Sequence, residues 1–138
     1  MATAEELQNQ VNNLTRQNRS LSESITKLNG RIDICNKMNV HAANAMVYLT
    51  SARGYMNNAY TDITNAYNED GKPKDGGSIN SITSNIQMII NMLVKVTTKI
   101  SNNITDIKSQ ITGIKSQITG IQNQIKDINT QLKQLNKS

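Results

Sequence analysis

Residues 107–121 read IKSQITGIKSQITGI, a seven-residue unit repeated almost letter for letter, with isoleucine alternately three and four residues apart. The same spacing continues on both sides of this stretch. It covers Ile104, Ile107, Ile111, Ile114, Ile118, Ile121, Ile125, Ile128, Leu132 and Leu135. An alternation of three and four is the spacing of a coiled-coil seam. The stretch predicts a long helix, whose seam packs either on other copies or on another part of the same chain.

The composition restricts the possible folds and partners. The 138 residues include no Trp, no Phe, four Tyr and one Pro, so a compact layered core is not expected. The formal net charge is +5, but the lysines of residues 78–138 are spaced singly, without arginine clusters or aromatic residues between them. This pattern favours a solvated helix surface over a nucleic-acid surface.

The N-terminal sequence MATAEEL lacks the basic and apolar regions of a secretory signal peptide. The longest apolar stretch, residues 86–96, is too short to span a bilayer. We therefore expect no membrane insertion. The predicted location is the cytoplasm, or outside the cell after export that needs no signal peptide.

Helix-breaking residues cluster once, in NEDGKPKDGGS at residues 68–78. Gly71 can close one helix, Pro73 prevents its continuation, and Ser78 can cap the next. Thr3 followed by Glu6 forms a capping box for the first helix. These breaking and capping residues predict helices over residues 3–70 and 78–137, an interhelical loop over 71–77, and one domain over 1–138.

The first helix carries an apolar stripe of its own. It comprises Leu7, Val11, Leu14, Asn18, Leu21, Ile25, Leu28, Ile32 and Cys35. After Cys35 one step is a residue short, and the stripe continues as Met38, Ala42, Ala45, Leu49, Ala52, Met56, Ala59, Ile63 and Ala66. The second helix shows a matching shift after Ile79, Ile82, Ile86, Ile89, Leu93, Val96 and Ile100. We therefore predict that both stripes change phase at the same level and pack on each other.

The predicted fold is all-α, a long antiparallel two-helix hairpin with coiled-coil packing. Folding back around Pro73 sets the register of the facing residues. The predicted pairs are Val11 with Leu135, Leu14 with Leu132, Leu21 with Ile125, Ile25 with Ile121, Leu28 with Ile118, and Ile32 with Ile114. The alternative is a parallel homotrimeric stalk like a phage or viral fibre, because isoleucine at both seam positions favours trimers in isolation.

Residues capable of catalysis or metal binding are few. His41 is the only histidine and has no cysteine or carboxylate at ligand spacing. Asp33, Asp62 and Glu69 lie too far apart along one helix to form an acid–base pair. Gly76-Gly77 lacks the ending of a phosphate loop. Cys35 lies on the apolar stripe and is interpreted as a small hydrophobic residue. We expect neither an enzyme nor a bound metal or cofactor.

Two features concern packing partners. Asn18 is a polar residue on a coiled-coil seam, where the predicted register places Ile128 opposite it. A second group of apolar residues lies beside the predicted seam. These candidate partner-binding residues are Met46, Tyr48, Tyr55, Tyr60, Met88, Ile90 and Met92. They either shield the seam edges or form an interface for further helices, from a second copy or from another protein.

An Ala/Tyr-rich helix leads into a turn rich in Gly, Lys and Asp. The pattern comprises Ala59-Tyr60, Ala66-Tyr67, Gly71-Lys72, Asp75, Gly77 and Ile79. It resembles the small WXG-like helical-hairpin proteins of Gram-positive type VII secretion, particularly those that accompany LXG-type toxins. The chain has no Trp and therefore no Trp-x-Gly turn, and none of its tyrosines begins a Tyr-x-x-x-Asp/Glu export signal.

The resemblance implies a helical protein partner. Because the export signal is missing, it implies a chaperone or targeting factor that binds the helical targeting region of a toxin and completes a helical bundle recognised by the secretion machinery. A homodimer remains a second possibility at this point.

Overall fold

The computed structural model describes residues 1–66 and 76–137, which form two α-helices and no strand. Helix α1 spans Ala4–Ala66 and helix α2 spans Gly76–Lys137. The two helices pack against each other in opposite directions, so the predicted all-α helical hairpin is confirmed.

The predicted helix boundaries hold to within two residues where they can be compared. Helix α1 begins at Ala4, but its predicted end at residue 70 lies outside the described residues, as do residues 71–75 of the predicted loop. Helix α2 begins at Gly76, two residues before the predicted start, so Ser78 lies within its first turn and is not its cap.

The capping box at the start of α1 is confirmed. The Glu6 amide donates to Thr3 Oγ1 at 3.1 Å, and the Thr3 amide donates to Glu6 Oε2 at 3.2 Å. The Leu7 amide donates to the Thr3 carbonyl at 3.0 Å and opens the helical hydrogen-bond ladder. Two of the amides that a helix start leaves unpaired are thereby satisfied.

The chain divides into two compact units. The terminal unit comprises Met1–Ile34 and Ile104–Ser138, and the central unit comprises Cys35–Asn103. In the terminal unit the predicted seam residues of both helices face inward. Leu7, Ile107, Ile111 and Ile128 are buried, and the remaining members are half-buried. The isoleucine seam is therefore covered by the N-terminal half of the same chain.

In the terminal unit, the residues of the two helices that line common grooves differ by four positions from the predicted pairs. Leu7 lines a shallow groove with Leu135, Leu14 lines one with Ile128, and Leu21 lines one with Ile121. The prediction paired Leu14 with Leu132 and Leu21 with Ile125. Four residues correspond to about 6 Å along a helix. Apolar residues occupy every seam position here except Asn18, so the apolar pattern alone fits either alignment.

Asn18 lies between Leu14 and Leu21 on the seam of α1, and these two leucines share grooves with Ile128 and Ile121 of α2. The Asn18 side chain is half-buried on the seam, and its Oδ1 atom is buried without a hydrogen-bond partner among the described residues. The amide therefore occupies a seam position that the neighbouring residues fill with leucine.

In the central unit the predicted phase change does not occur on α2. The inward residues of α1 continue the regular spacing through Cys35, Asn39, Ala42, Met46, Leu49, Arg53, Met56, Tyr60 and Ile63. Those of α2 are Ile79, Thr83, Ile86, Ile90, Leu93, Thr97 and Ile100. On α1 the predicted members Ala45, Ala52 and Ala59 are half-buried as well, so burial there fits both patterns. On α2 the prediction is wrong, because it required an apolar residue at each step and chose Ile82, Ile89 and Val96, which are exposed.

Two threonines complete the inward line of α2. Thr83 Oγ1 donates to the Ile79 carbonyl at 3.0 Å, and Thr97 Oγ1 donates to the Val94 carbonyl at 2.8 Å. A threonine whose hydroxyl is bonded within its own helix can face a partner helix without an unpaired polar group. Both residues are half-buried, whereas the predicted seam members Ile82 and Val96 are exposed.

Candidate helix-binding surface

Standard heptad letters describe the central unit, with a and d for the inward positions. Position d is apolar on both helices, as in Leu49 of α1 and Leu93 of α2. Position a is mostly polar, with Asn39 and Arg53 on α1 and with Thr83 and Thr97 on α2. All four side chains are half-buried, which identifies position a as an inward position. One edge of the seam in this unit therefore carries polar seam residues, although Val94 at position e and Val40 and Val47 at position b are exposed apolar side chains on the same side.

Two hydrogen bonds between the helices lie at this polar edge. Asn39 Nδ2 donates to Ser101 Oγ at 3.4 Å, and Arg53 Nη1 donates to Gln87 Oε1. Each bond joins position a of α1 to position e of α2. In an antiparallel pair the e positions of both helices lie on one side of the seam and the g positions on the other. The bonds thus identify the opposite side as the g side of both helices.

The g side is apolar and incompletely covered. On α2 its g positions are Ile82, Ile89 and Val96, which are 45%, 46% and 45% exposed. On α1 they are Met38, which is exposed, and Ala45, Ala52 and Ala59, which are half-buried. Three more large side chains extend this surface at position c. They are Tyr48 and Tyr55 of α1, at 76% and 74% exposed, and Met92 of α2, at 62%. We call this set the g/c face.

The apolar stripe of the central unit is wider than the part that the hairpin covers. Along both helices it occupies positions d and g, whereas the two helices bury positions a and d. The stripe is therefore centred beside the contact between the helices, and the large side chains of its g half are exposed while its g alanines are half-buried. In a self-sufficient two-helix coiled coil the apolar stripe and the buried stripe coincide. The central unit departs from this rule on both helices.

The terminal unit shows the expected coincidence. Its large apolar residues occupy a and d, apart from the exposed Ile34 at position c, and its g positions are polar throughout. They are Gln10, Gln17, Ser24 and Arg31 on α1, and Gln110, Gln117, Gln124 and Gln131 on α2. The apolar g side is therefore a property of the central unit and not of the whole sequence.

The seven candidate partner-binding residues separate into two groups. Tyr48, Tyr55 and Met92 belong to the g/c face, and Met88 is exposed next to it at position f. Met46, Tyr60 and Ile90 are half-buried at position a, within the hairpin seam. These three contribute to packing between α1 and α2.

The sequence interpretation assigned all seven g residues of this surface to the seam, including its four large ones. Met38, Ile82, Ile89 and Val96 were assigned to the seam because they are apolar at the expected spacing. The signal that could have identified them is the unbroken spacing through Thr83 and Thr97, which leaves these residues as a second, adjacent stripe.

The remaining candidate residues form no chemical site within residues 1–66 and 76–137. Cys35 is a half-buried free thiol on the seam, and His41, Asp33 and Asp62 are exposed. Glu69 lies outside the described residues. That part of the chain brings together no group of three His, Cys, Asp or Glu side chains suited to a metal ion. Neither described helix contains a segment with the length and apolar character of a membrane span.

Comparison with known proteins provides no further constraint. No protein-family model matches the chain, and no curated protein or solved structure matches it significantly.

Proposed function

We propose that this hairpin is a non-enzymatic binding module, and that the g/c face of its central unit packs against a helical region of a partner protein. The observation that supports this proposal is the apolar stripe at d and g, of which the hairpin covers only one half. A third helix placed on the g side would bury the other half. The exposed residues already have the heptad spacing that packing against such a helix requires.

The partner class follows from the resemblance to type VII secretion proteins. We propose an LXG-type toxin, or a related secreted protein, whose helical targeting region binds the hairpin in the cytoplasm. The two proteins together would form the helical bundle that the secretion machinery recognises. The homotrimeric stalk is a weaker alternative, because its trimer contact would need the isoleucine seam that α1 covers in the terminal unit.

The proposal is tested by co-expressing the chain with the helical protein encoded by a neighbouring gene and measuring the complex by size-exclusion chromatography with light scattering. We expect a heterocomplex that the double substitution Tyr55→Glu with Met92→Glu disrupts. Both side chains are exposed, so the free hairpin should keep its helix content.

The matched control adds two carboxylates to the terminal unit, through Asn9→Glu with Asn123→Glu. Both residues are exposed on the side opposite the seam. The control should leave the complex intact. A complex that tolerates the Tyr55 and Met92 substitutions would show that the g/c face is not the contact surface, and a trimer of the chain alone would support the stalk.

A further inference from the structure

We infer that the partner of the g/c face is an acidic amphipathic helix, with an apolar stripe at heptad spacing and carboxylates along its flank. This inference rests on the proposed function and adds the charge and pattern of the partner. It is carried by the distribution of charges around the apolar surface, together with the area that surface exposes.

The three lysines of the described central unit lie at one end of the g/c face, whereas Arg53 lies in the seam. Lys95 and Lys99 follow Met88 and Met92 along the same strip of α2, at the spacing of three and four residues that places side chains on one helix face. The hydrogen bond between Asn39 and Ser101 places Lys37 of α1 near the same level. All three lysines are exposed.

Negative charge near the face is scarce among the described residues. The described part of the central unit contains four Lys or Arg residues, which are Lys37, Arg53, Lys95 and Lys99, and one carboxylate, Asp62. Asp62 is exposed at position c of α1, at the other end of the face. An incoming helix with Asp or Glu at its flanks would meet the lysine-rich end, and complementary charges of this kind favour association and set orientation.

A second copy of the chain fits this charge distribution less well. Two g/c faces packed with the same ends together would place the lysines of both copies side by side. Packed with opposite ends together, they would set three lysines against Asp62, which is the one carboxylate among the described residues of the central unit. Among these described residues, either arrangement leaves like charges uncompensated beside an apolar contact, which weakens association.

The exposed area is sufficient for a stable contact with a helix. The g/c face and Met88 together present eight large apolar side chains that are 45% or more exposed. At about 100 Å² each, they would contribute about 800 Å², which is the share of one partner in an ordinary protein interface. The small side chains of Ala45, Ala52 and Ala59 leave room for bulky residues of the incoming helix.

The test uses the full chain and two synthetic amphipathic helices about four heptads long, with the same leucine stripe. One peptide carries Glu at the flanking positions and the other carries Lys. Binding is measured by fluorescence anisotropy at about 50 mM and about 500 mM salt. We expect the Glu peptide to bind about tenfold more tightly at low salt, and this preference to shrink at high salt.

Charge-reversal variants identify the lysines responsible. Lys95→Glu with Lys99→Glu should abolish or invert the preference for the Glu peptide. The control, Lys126→Glu with Lys133→Glu, makes the same change of charge at exposed positions of the terminal unit and should preserve the preference.

The outcomes separate this inference from the proposed function. Equal binding of both peptides that Tyr55→Glu with Met92→Glu removes would overturn the acidic partner while keeping the docking face. If neither peptide binds but the neighbouring-gene product still forms a complex sensitive to those substitutions, the inferred pattern of the partner is again wrong. Dimerisation of the free chain through the g/c face, seen by sedimentation and competing with the peptides, would replace the partner helix with a second copy.

Discussion

At the level of single residues, Asn18 combines a seam position with a buried carbonyl oxygen that has no partner among the described residues. A buried polar group without a hydrogen bond costs free energy, and a polar seam residue often limits which alignments a coiled coil can adopt. Asn18 therefore lowers the stability of the terminal unit relative to a leucine at the same position.

The substitution Asn18→Leu is expected to stabilise the chain by about 1–2 kcal/mol, because it replaces an unsatisfied amide with an apolar contact. The measurement is urea unfolding followed by circular dichroism. Asn9→Leu is the control, since Asn9 is exposed and the substitution changes helix propensity without changing burial. If both variants gained equally, the amide of Asn18 would be satisfied by water.

A second residue-level prediction concerns the capping box. Thr3→Ala removes the hydroxyl that accepts from the Glu6 amide, and it should weaken the first turn of α1 by about 1 kcal/mol. Amide hydrogen exchange at Glu6 should become faster. Thr15→Ala is the matched control, because the Thr15 hydroxyl donates to the Val11 carbonyl within the helix and caps nothing. Unchanged exchange at Glu6 would contradict a stabilising role for the cap.

At the level of the helices, the sequence predicted the existence and direction of both elements but not the buried face throughout. In the terminal unit apolar residues occupy the inward positions at nearly every step, so the pattern and the burial agree. In the central unit Ile82 and Ile89 match the expected spacing as well as Thr83 and Ile90 do. Hydrophobicity alone cannot distinguish an apolar residue that the hairpin covers from one that the hairpin leaves exposed.

This difference in coverage predicts unequal costs of truncation on the same helix. Ile111→Ala should destabilise the free chain by about 3 kcal/mol, because Ile111 is 7% exposed. Ile89→Ala should cost about 1 kcal/mol, since nearly half of that side chain already contacts water. Chemical denaturation of the two variants provides the comparison.

We expect the opposite order for the effect of these two substitutions on binding of the proposed partner. Ile89→Ala should raise the Kd for the partner about tenfold or more, whereas Ile111→Ala, in the terminal unit, should leave it nearly unchanged. Equal stability losses for the two variants would show that Ile89 is covered in the free hairpin.

The glycines of the isoleucine repeat give another prediction at this level. Gly113 and Gly120 lie inside α2, and a Cβ atom added at either would meet nothing within 4 Å. Gly113→Ala should therefore raise the free energy of unfolding by about 1 kcal/mol through helix propensity alone, and Gly120→Ala should do the same. Thermal unfolding tests both. A loss of stability at one position and not the other would indicate a contact specific to that position.

At the level of the whole molecule, the reversal of the chain was predictable and the alignment of its arms was not. Prediction of the reversal rested on one cluster of breakers between two amphipathic stripes. Prediction of the alignment depended on Pro73 as the centre of the turn. A shift of four residues still pairs one seam residue with another, so the apolar pattern could not reveal the error. The candidate surface was predictable in part, through Tyr48, Tyr55 and Met92, because aromatic and methionine side chains outside a seam are conspicuous.

The alignment in the terminal unit can be tested by disulfide formation in a Cys35→Ser background. Leu14→Cys with Ile128→Cys should form an intramolecular disulfide rapidly under mild oxidation, because these residues line the same groove. Leu14→Cys with Leu132→Cys, the pairing expected from the sequence, should react much more slowly. Mass spectrometry after brief oxidation distinguishes the two results, and faster reaction of the second pair would restore the original alignment.

The duplicated block IKSQITG at residues 107–113 and 114–120 has a consequence for how such a protein can change over generations. A coding segment of seven codons can be copied or lost in one event without altering which side chains point inward on α2. Helix α1 could lengthen to match by gaining one heptad with aliphatic residues at its two inward positions. The terminal unit can therefore change in length while the central unit, which carries the g/c face, stays the same.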